Sequence, residues 1–118
     1  MYDVIIIGRG PAGISASLYT ARSNLSTLII AKDDSQLRVS EKIENYYGFA
    51  EPVRGEFLLG EGIKQATRLG VLFVSGSVIN IDYKDRFIVS TNEEIYESKL
   101  FLESLAEDID NKVKHMEA

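Results

Sequence analysis

The segment Gly8-x-Gly10-x-x-Gly13 follows at once on the β-branched run Val4-Ile5-Ile6-Ile7, and this junction constrains the chain more than any other feature. A continuous apolar run of that kind is the pattern of a strand buried on both faces of a parallel sheet, so a strand is expected over Asp3 to Ile7. Residues Ile14 to Arg22 read as a helix, with the small residues Ala12, Ala16 and Ala21 among larger apolar ones and Pro11 suited to a first turn. After the turn Ser23-Asn24-Leu25, the run Thr27 to Ala31 repeats the buried-strand composition. Two strands joined by a helix within about 30 residues make a βαβ unit, and its crossover is expected to be right-handed.

The glycine spacing has a chemical meaning. Gly8 permits the tight turn off the first strand, Gly10 lets the backbone approach a pyrophosphate, and Gly13 lets helix and strand pack closely. Phosphates would then lie at the helix amino terminus, where unpaired N–H groups and the positive end of the helix dipole favour negative charge. Arg9 lies near, although no basic side chain is required. An acid that binds a ribose is expected about 20 residues beyond the glycines, at the end of the second strand. Asp33 fits by count, while Lys32, Asp33 and Asp34 read equally well as a solvated turn.

Further along, Lys32 to Glu44 is polar and without a clear period, the texture of a loop. A second helix is expected from Glu56 to Leu69, where Leu59, Ile63, Ala66 and Leu69 recur at helical spacing, with Gly70 closing it as a C-terminal cap. Short strand-like runs follow at Val71–Val74, Ser77–Asp82, Arg86–Thr91 and Glu94–Lys99, the last three as an antiparallel meander. From residue 100 to 118 a helical tail is expected, because Leu102, Leu105, Ile109, Val113 and Met116 fall at spacings of 3, 4, 4 and 3. The fold class is therefore α/β: a Rossmann-like βαβ unit with a parallel sheet, a small antiparallel meander and a C-terminal amphipathic helix.

Composition narrows the function. A chain of 118 residues with 45% apolar and 26% charged residues is an ordinary globular domain rather than a disordered one. Thirteen Lys and Arg against eighteen Asp and Glu leave a net charge of -5, with the bases scattered, which argues against nucleic acid as a partner. No apolar run reaches the roughly 20 residues that span a bilayer, and Met1-Tyr2-Asp3 lacks a basic leader, so no membrane association and a cytoplasmic location are expected. Without cysteine there is no disulfide, thiolate nucleophile or sulfur metal site, and the single histidine, His115, builds no metal cluster. No catalytic residue is assigned.

The stretches Asp3 to Gly13, Leu18-Tyr19-Thr20-Ala21-Arg22, Ser35-Gln36-Leu37, Ile43-Glu44-Asn45-Tyr46-Tyr47-Gly48-Phe49 and Val78-Ile79-Asn80-Ile81-Asp82 occur in the order and spacing of one family. Through them the chain resembles the low-molecular-weight thioredoxin reductases, within the pyridine-nucleotide disulfide oxidoreductases. The resemblance covers about the first hundred residues. It implies FAD rather than NAD at the glycine motif, with Gln36, Leu37 and Asn45 along the flavin half, and the strand around Val78 meeting the adenine through its backbone. The family often has an acid where this chain has Ala31, so the resemblance implies ribose recognition by the neighbours Lys32 and Asp33 or by backbone. It also implies a homodimer.

After Lys99-Leu100-Phe101-Leu102 the chain departs from the family pattern, which continues with a nicotinamide domain holding a Cys-x-x-Cys pair and a return segment over the flavin. The expectation is a single partial FAD-binding domain over residues 1–118. The family's dithiol chemistry would then need a redox partner protein or the missing NADPH domain. Two alternatives stand beside it: an NAD(P)-binding regulatory module, and a truncated, non-catalytic domain that self-associates through uncovered apolar surface.

Overall fold

The computed structural model describes residues 1–8, 10–32 and 47–103. Its elements run β1 (Tyr2–Ile7), α1 (Pro11–Arg22), β2 (Thr27–Ala31), α2 (Gly55–Arg68), β3 (Leu72–Ser75), β4 (Val78–Tyr83), β5 (Phe87–Thr91) and β6 (Ile95–Glu103). They form one six-stranded sheet of order β3-β2-β1-β6-β5-β4. Strands β3, β2, β1 and β6 are mutually parallel, and β5 and β4 continue the sheet antiparallel.

The apolar runs that announced β1 and β2 are buried on both faces because each face meets a different layer. Val4, Ile6 and Ile29 pack with Ile14 of α1 and with Leu59 and Ala66 of α2. Ile5, Leu28 and Ile30 point the other way and pack with Val89 of β5, alongside Val78 and Tyr96. Helices thus cover one face, and the meander folds back across the other. Ile5, Ile6, Ile29 and Ile30 are fully buried, each contributing about 1.5–3 kcal/mol of apolar burial.

Both helices end in the same local device. The N–H of Val71 donates to Ala66 O and that of Gly70 to Thr67 O, each at 3.0 Å, with Gly70 at φ +97°. In α1 the N–H of Leu25 donates to Thr20 O and that of Asn24 to Ala21 O, with Asn24 at φ 62°. These are Schellman closures, which satisfy carbonyls that the last helical turn leaves unpaired. The α1 closure is tied to the sheet by the 2.8 Å hydrogen bond between the Thr20 and Thr27 hydroxyls.

Most expected elements stand within a residue or two of their expected limits, and β6 is the exception. Its first part pairs antiparallel with β5, as the meander required, but the strand continues to Glu103 and pairs parallel with β1, Val4 opposite Leu100 and Ile7 opposite Glu103. The expected helical tail therefore does not begin at residue 100. The open edge of β1 carries backbone donors and acceptors that need partners, and Leu100-Phe101-Leu102 supplies them. The remainder of the expected tail, residues 104–118, lies outside the described residues, as does nearly all of the expected loop from Lys32 to Glu44.

Candidate dinucleotide-binding site

The site grows from the carboxyl end of β1. Ile7 is the last strand residue, and Gly8 follows with φ +99°, a backbone conformation in which a Cβ would be strained. The Gly8 N–H donates to Ile30 O at 2.8 Å, which holds the turn against the end of β2. The chain then enters α1 with Gly10 as its N-cap in extended conformation, accepting the Ile14 N–H at 3.1 Å, and Pro11 in the first turn.

The start of α1 suits an anion. No side chain caps it, and its first turn contains no acid. The N–H groups of Ala12 and Gly13 belong to the first turn, where a helix offers no internal acceptors. Pro11 has no N–H to leave unpaired. Gly13 is buried against the sheet, while Ala12 and Pro11 are exposed beside the opening. Donors, helix dipole and the lack of a competing carboxylate all favour negative charge there.

The second wall comes from β2 and the β3–β4 turn. Ala31 ends β2, half-buried, and its carbonyl accepts the Gly76 N–H at 3.0 Å, which brings the start of β4 to the same end of the sheet. Val78 packs beside Ile7, Ile30 and Val74. Ile7, Val78, Ile79, Asn80, Ile81 and Glu103 line an open concavity of about 410 Å³ next to the glycine turn. Lys32 is exposed just past β2.

Of the residues expected at the site, Gly8, Gly10, Pro11, Ala12, Gly13, Ala31, Lys32 and Val78 thus gather at one end of the parallel strands. Arg9, Asp33, Gln36, Leu37 and Asn45 lie outside the described residues. Sequence reasoning passed over Gly76, Asn80 and Glu103. Gly76 carried only a turn signal, and Glu103 was assigned to the tail helix until its pairing with Ile7 put it on the wall of the concavity.

The perturbed ionisable groups stand elsewhere. The Asp3 carboxyl is held below its ordinary range chiefly by the Ser26 N–H, at the opposite end of β1. Glu97 is lowered and Arg86 raised by their mutual contact, Arg86 Nε lying 2.9 Å from Glu97 Oε2 on the meander. Among the described residues no group of three His, Cys, Asp or Glu could hold a metal ion. No helix among them is long and apolar enough to cross a membrane.

A profile of the pyridine nucleotide-disulphide oxidoreductase family matches residues 2–108. The chain belongs to that family. Among its relatives it is 49% identical to the thioredoxin reductase of Aquifex aeolicus over 84 residues, covering 70% of this chain and 26% of that protein. It is 38% identical to the thioredoxin reductase of Bacillus subtilis over 102 residues, 84% of this chain and 32% of that protein. The oxidoreductase fold is equally plain in solved structures. The thioredoxin reductase of Gloeobacter violaceus superposes with a TM-score of 0.82 at 34% identity, over 86% of this chain and 33% of that one. That of Streptococcus pyogenes gives 0.83 at 37% identity, over 87% and 34%. The chain therefore spans 26% to 32% of the length of these two curated relatives.

Proposed function

We propose that this chain is the FAD-binding segment of a thioredoxin-reductase-like flavoprotein oxidoreductase. The uncapped, acid-free start of α1 directly after the left-handed turn at Gly8 carries the proposal, because it offers backbone donors to a pyrophosphate at the switch from strand to helix. In this assignment Gly8, Arg9, Gly10, Pro11, Ala12 and Gly13 surround the pyrophosphate. Ala31, Lys32 and Asp33 serve the ribose, Val78 offers backbone to the adenine, and Gln36, Leu37 and Asn45 line the flavin half. A relative at 28% identity and a TM-score of 0.74 is described as a ferredoxin-flavin thioredoxin reductase, in keeping with a flavin.

Bound FAD supplies the electron-accepting chemistry, and the protein's part is to bind and orient it. The 118 residues contain no cysteine, so reduction of a disulfide depends on a thiol pair outside them. A nicotinamide domain or a redox partner is the proposed source. A cytoplasmic location and a homodimer complete the proposal.

The visible absorption spectrum after incubation with FAD and desalting tests it. Retained flavin bands are expected, and Gly10→Ala should weaken FAD binding by about tenfold, roughly 1.4 kcal/mol, by placing a methyl group where the pyrophosphate approaches. Colourless protein that instead binds NAD or NADP would replace FAD with a nicotinamide at this site.

A further inference from the structure

The end of β2 bears on the adenosine ribose of any dinucleotide held at the glycine turn. A site of this kind recognises an unmodified ribose through a carboxylate near the end of the second strand, which accepts from the 2′-hydroxyl and repels a phosphate placed there. In this chain β2 ends on Ala31, and the residue after it is Lys32. Ile7 pairs with Ile30, so Ala31 is the next residue alongside Gly8, and the Gly8 N–H ties the two strand ends together by donating to Ile30 O at 2.8 Å. The Ala31 carbonyl is held in turn by the Gly76 N–H at 3.0 Å. The strand end that would carry the acid is thus fixed beside the turn, and it carries a methyl group followed by a cation.

Lys32 is exposed and takes part in none of the ion pairs among the described residues, which join Glu61 to Lys64, Arg86 to Glu97 and Asp3 to Lys99. Its ammonium is a compact charge with rotatable donors on a flexible stem, suited to a phosphate. Glu103, the acid on the wall of the concavity, stands on β6 with β1 between it and β2, a backbone separation of about 10 Å at the usual strand spacing. We propose that the ribose subsite at Ala31 and Lys32 accepts a 2′-phosphate, so that the glycine turn takes 2′-phosphorylated adenine dinucleotides in competition with FAD. Lys32 is the specificity-determining residue, and Ala31 makes room by withholding a carboxylate. The proposal rests on the reading that the glycine turn holds the pyrophosphate of a dinucleotide. Asp33, next in the chain and outside the described residues, is the competing acid, and the test weighs it directly.

Isothermal titration calorimetry of the full chain with ADP-ribose and with 2′-phospho-ADP-ribose tests this, each with and without saturating FAD. The phosphorylated ligand should bind about threefold to tenfold tighter, the range of an exposed, charge-assisted contact, and saturating FAD should abolish both titrations. Lys32→Glu should reverse the order of the two ligands, and Ala31→Glu should weaken the phosphorylated one more than the plain one. Because the readout is a ratio of two affinities within one variant, a uniform loss of folded protein leaves it unchanged. Equal or weaker binding of 2′-phospho-ADP-ribose by the unaltered chain would overturn the proposal and give the ribose to Asp33. A ratio that Lys32→Glu does not move, or a preference that persists under saturating FAD, would overturn it as well. In those cases bound FAD leaves the dinucleotide reading standing, whereas failure of FAD and both ADP-riboses to bind would overturn that reading and this proposal together.

Discussion

The Asp3 carboxylate accepts a hydrogen bond from the Ser26 N–H at 2.8 Å, while the Asp3 N–H donates to Ser26 Oγ, also at 2.8 Å. This reciprocal pair clamps the start of β1 to the residue before β2, and Lys99 Nζ lies 3.4 Å from the other carboxylate oxygen. The Ser26 N–H is the main cause that lowers the Asp3 pKa from its ordinary 3.8, with Lys99 assisting and desolvation opposing. A carboxyl whose folded pKa is depressed stabilises the fold above its unfolded pKa and loses that contribution as pH falls through the folded value. Urea unfolding between pH 6 and about pH 2 should therefore show stability falling on the acid side of 3.8. In Asp3→Asn, which keeps an acceptor for the Ser26 N–H but cannot ionise, that part of the acid slope should disappear.

Two glycines of α2 predict unequal responses to the same substitution. A Cβ at Gly60 meets nothing within 4 Å, whereas one at Gly62 comes within 3.2 Å of Ile14 Cγ2. Gly60→Ala should raise the unfolding free energy by about 0.5–1 kcal/mol through helix propensity alone. Gly62→Ala should gain less, and Gly62→Val should destabilise by about 1–3 kcal/mol, because α1 must move away from α2. Chemical denaturation of the three variants separates the intrinsic preference from the close approach of the helices.

The helix closures give a second pair of signs. Asn24 occupies the left-handed position after α1 at φ 62°, and Gly70 the equivalent position after α2 at φ +97°. Asn24→Gly should be neutral or slightly stabilising, while Asn24→Val and Gly70→Ala should each cost about 1–2 kcal/mol, as L-residues do in that region. Thermal unfolding checks the ordering, with Asn24→Gly melting highest.

The centre of the parallel sheet should tolerate no loss of volume. Ile6 and Ile29 are fully buried in the helix-side cluster. Ile29→Val should cost about 0.5–1.5 kcal/mol and Ile29→Ala about 2–5 kcal/mol, with Ile6 behaving alike. Equilibrium unfolding of both series measures this. A cost near zero for Ile29→Ala would show that the helices do not press on the sheet as they do in the structure.

The parts of the fold legible in the sequence were those written locally. Val4 to Ile7 and Thr27 to Ala31 announced themselves by composition, Ser23-Asn24-Leu25 and Gly70 by turn chemistry, and α2 by its period. The glycine triplet identified the strand-to-helix turn because each position demands the absence of a side chain for a nearby reason. Residues 100–103 were misassigned because Leu102 satisfies two patterns at once, the end of an apolar strand and the start of a helical stripe. Periodicity cannot choose between them when the deciding partner, the open edge of β1, lies more than ninety residues away in the chain.

What the sequence by itself determined was the βαβ unit, its glycine turn and the alternation that sends Val4 and Ile6 one way and Ile5 and Ile7 the other. All of these depend on neighbours within a few residues, where backbone conformation and side-chain period are set. Only the tertiary structure decided that the meander folds across the sheet face opposite the helices. Through that fold the Gly76 N–H reaches Ala31 O, and Val78, Asn80 and Glu103 share one concavity beside Gly8. Those relations rest on burying the apolar face of β1 and β2 and on pairing its free edge, demands that no local segment can meet alone.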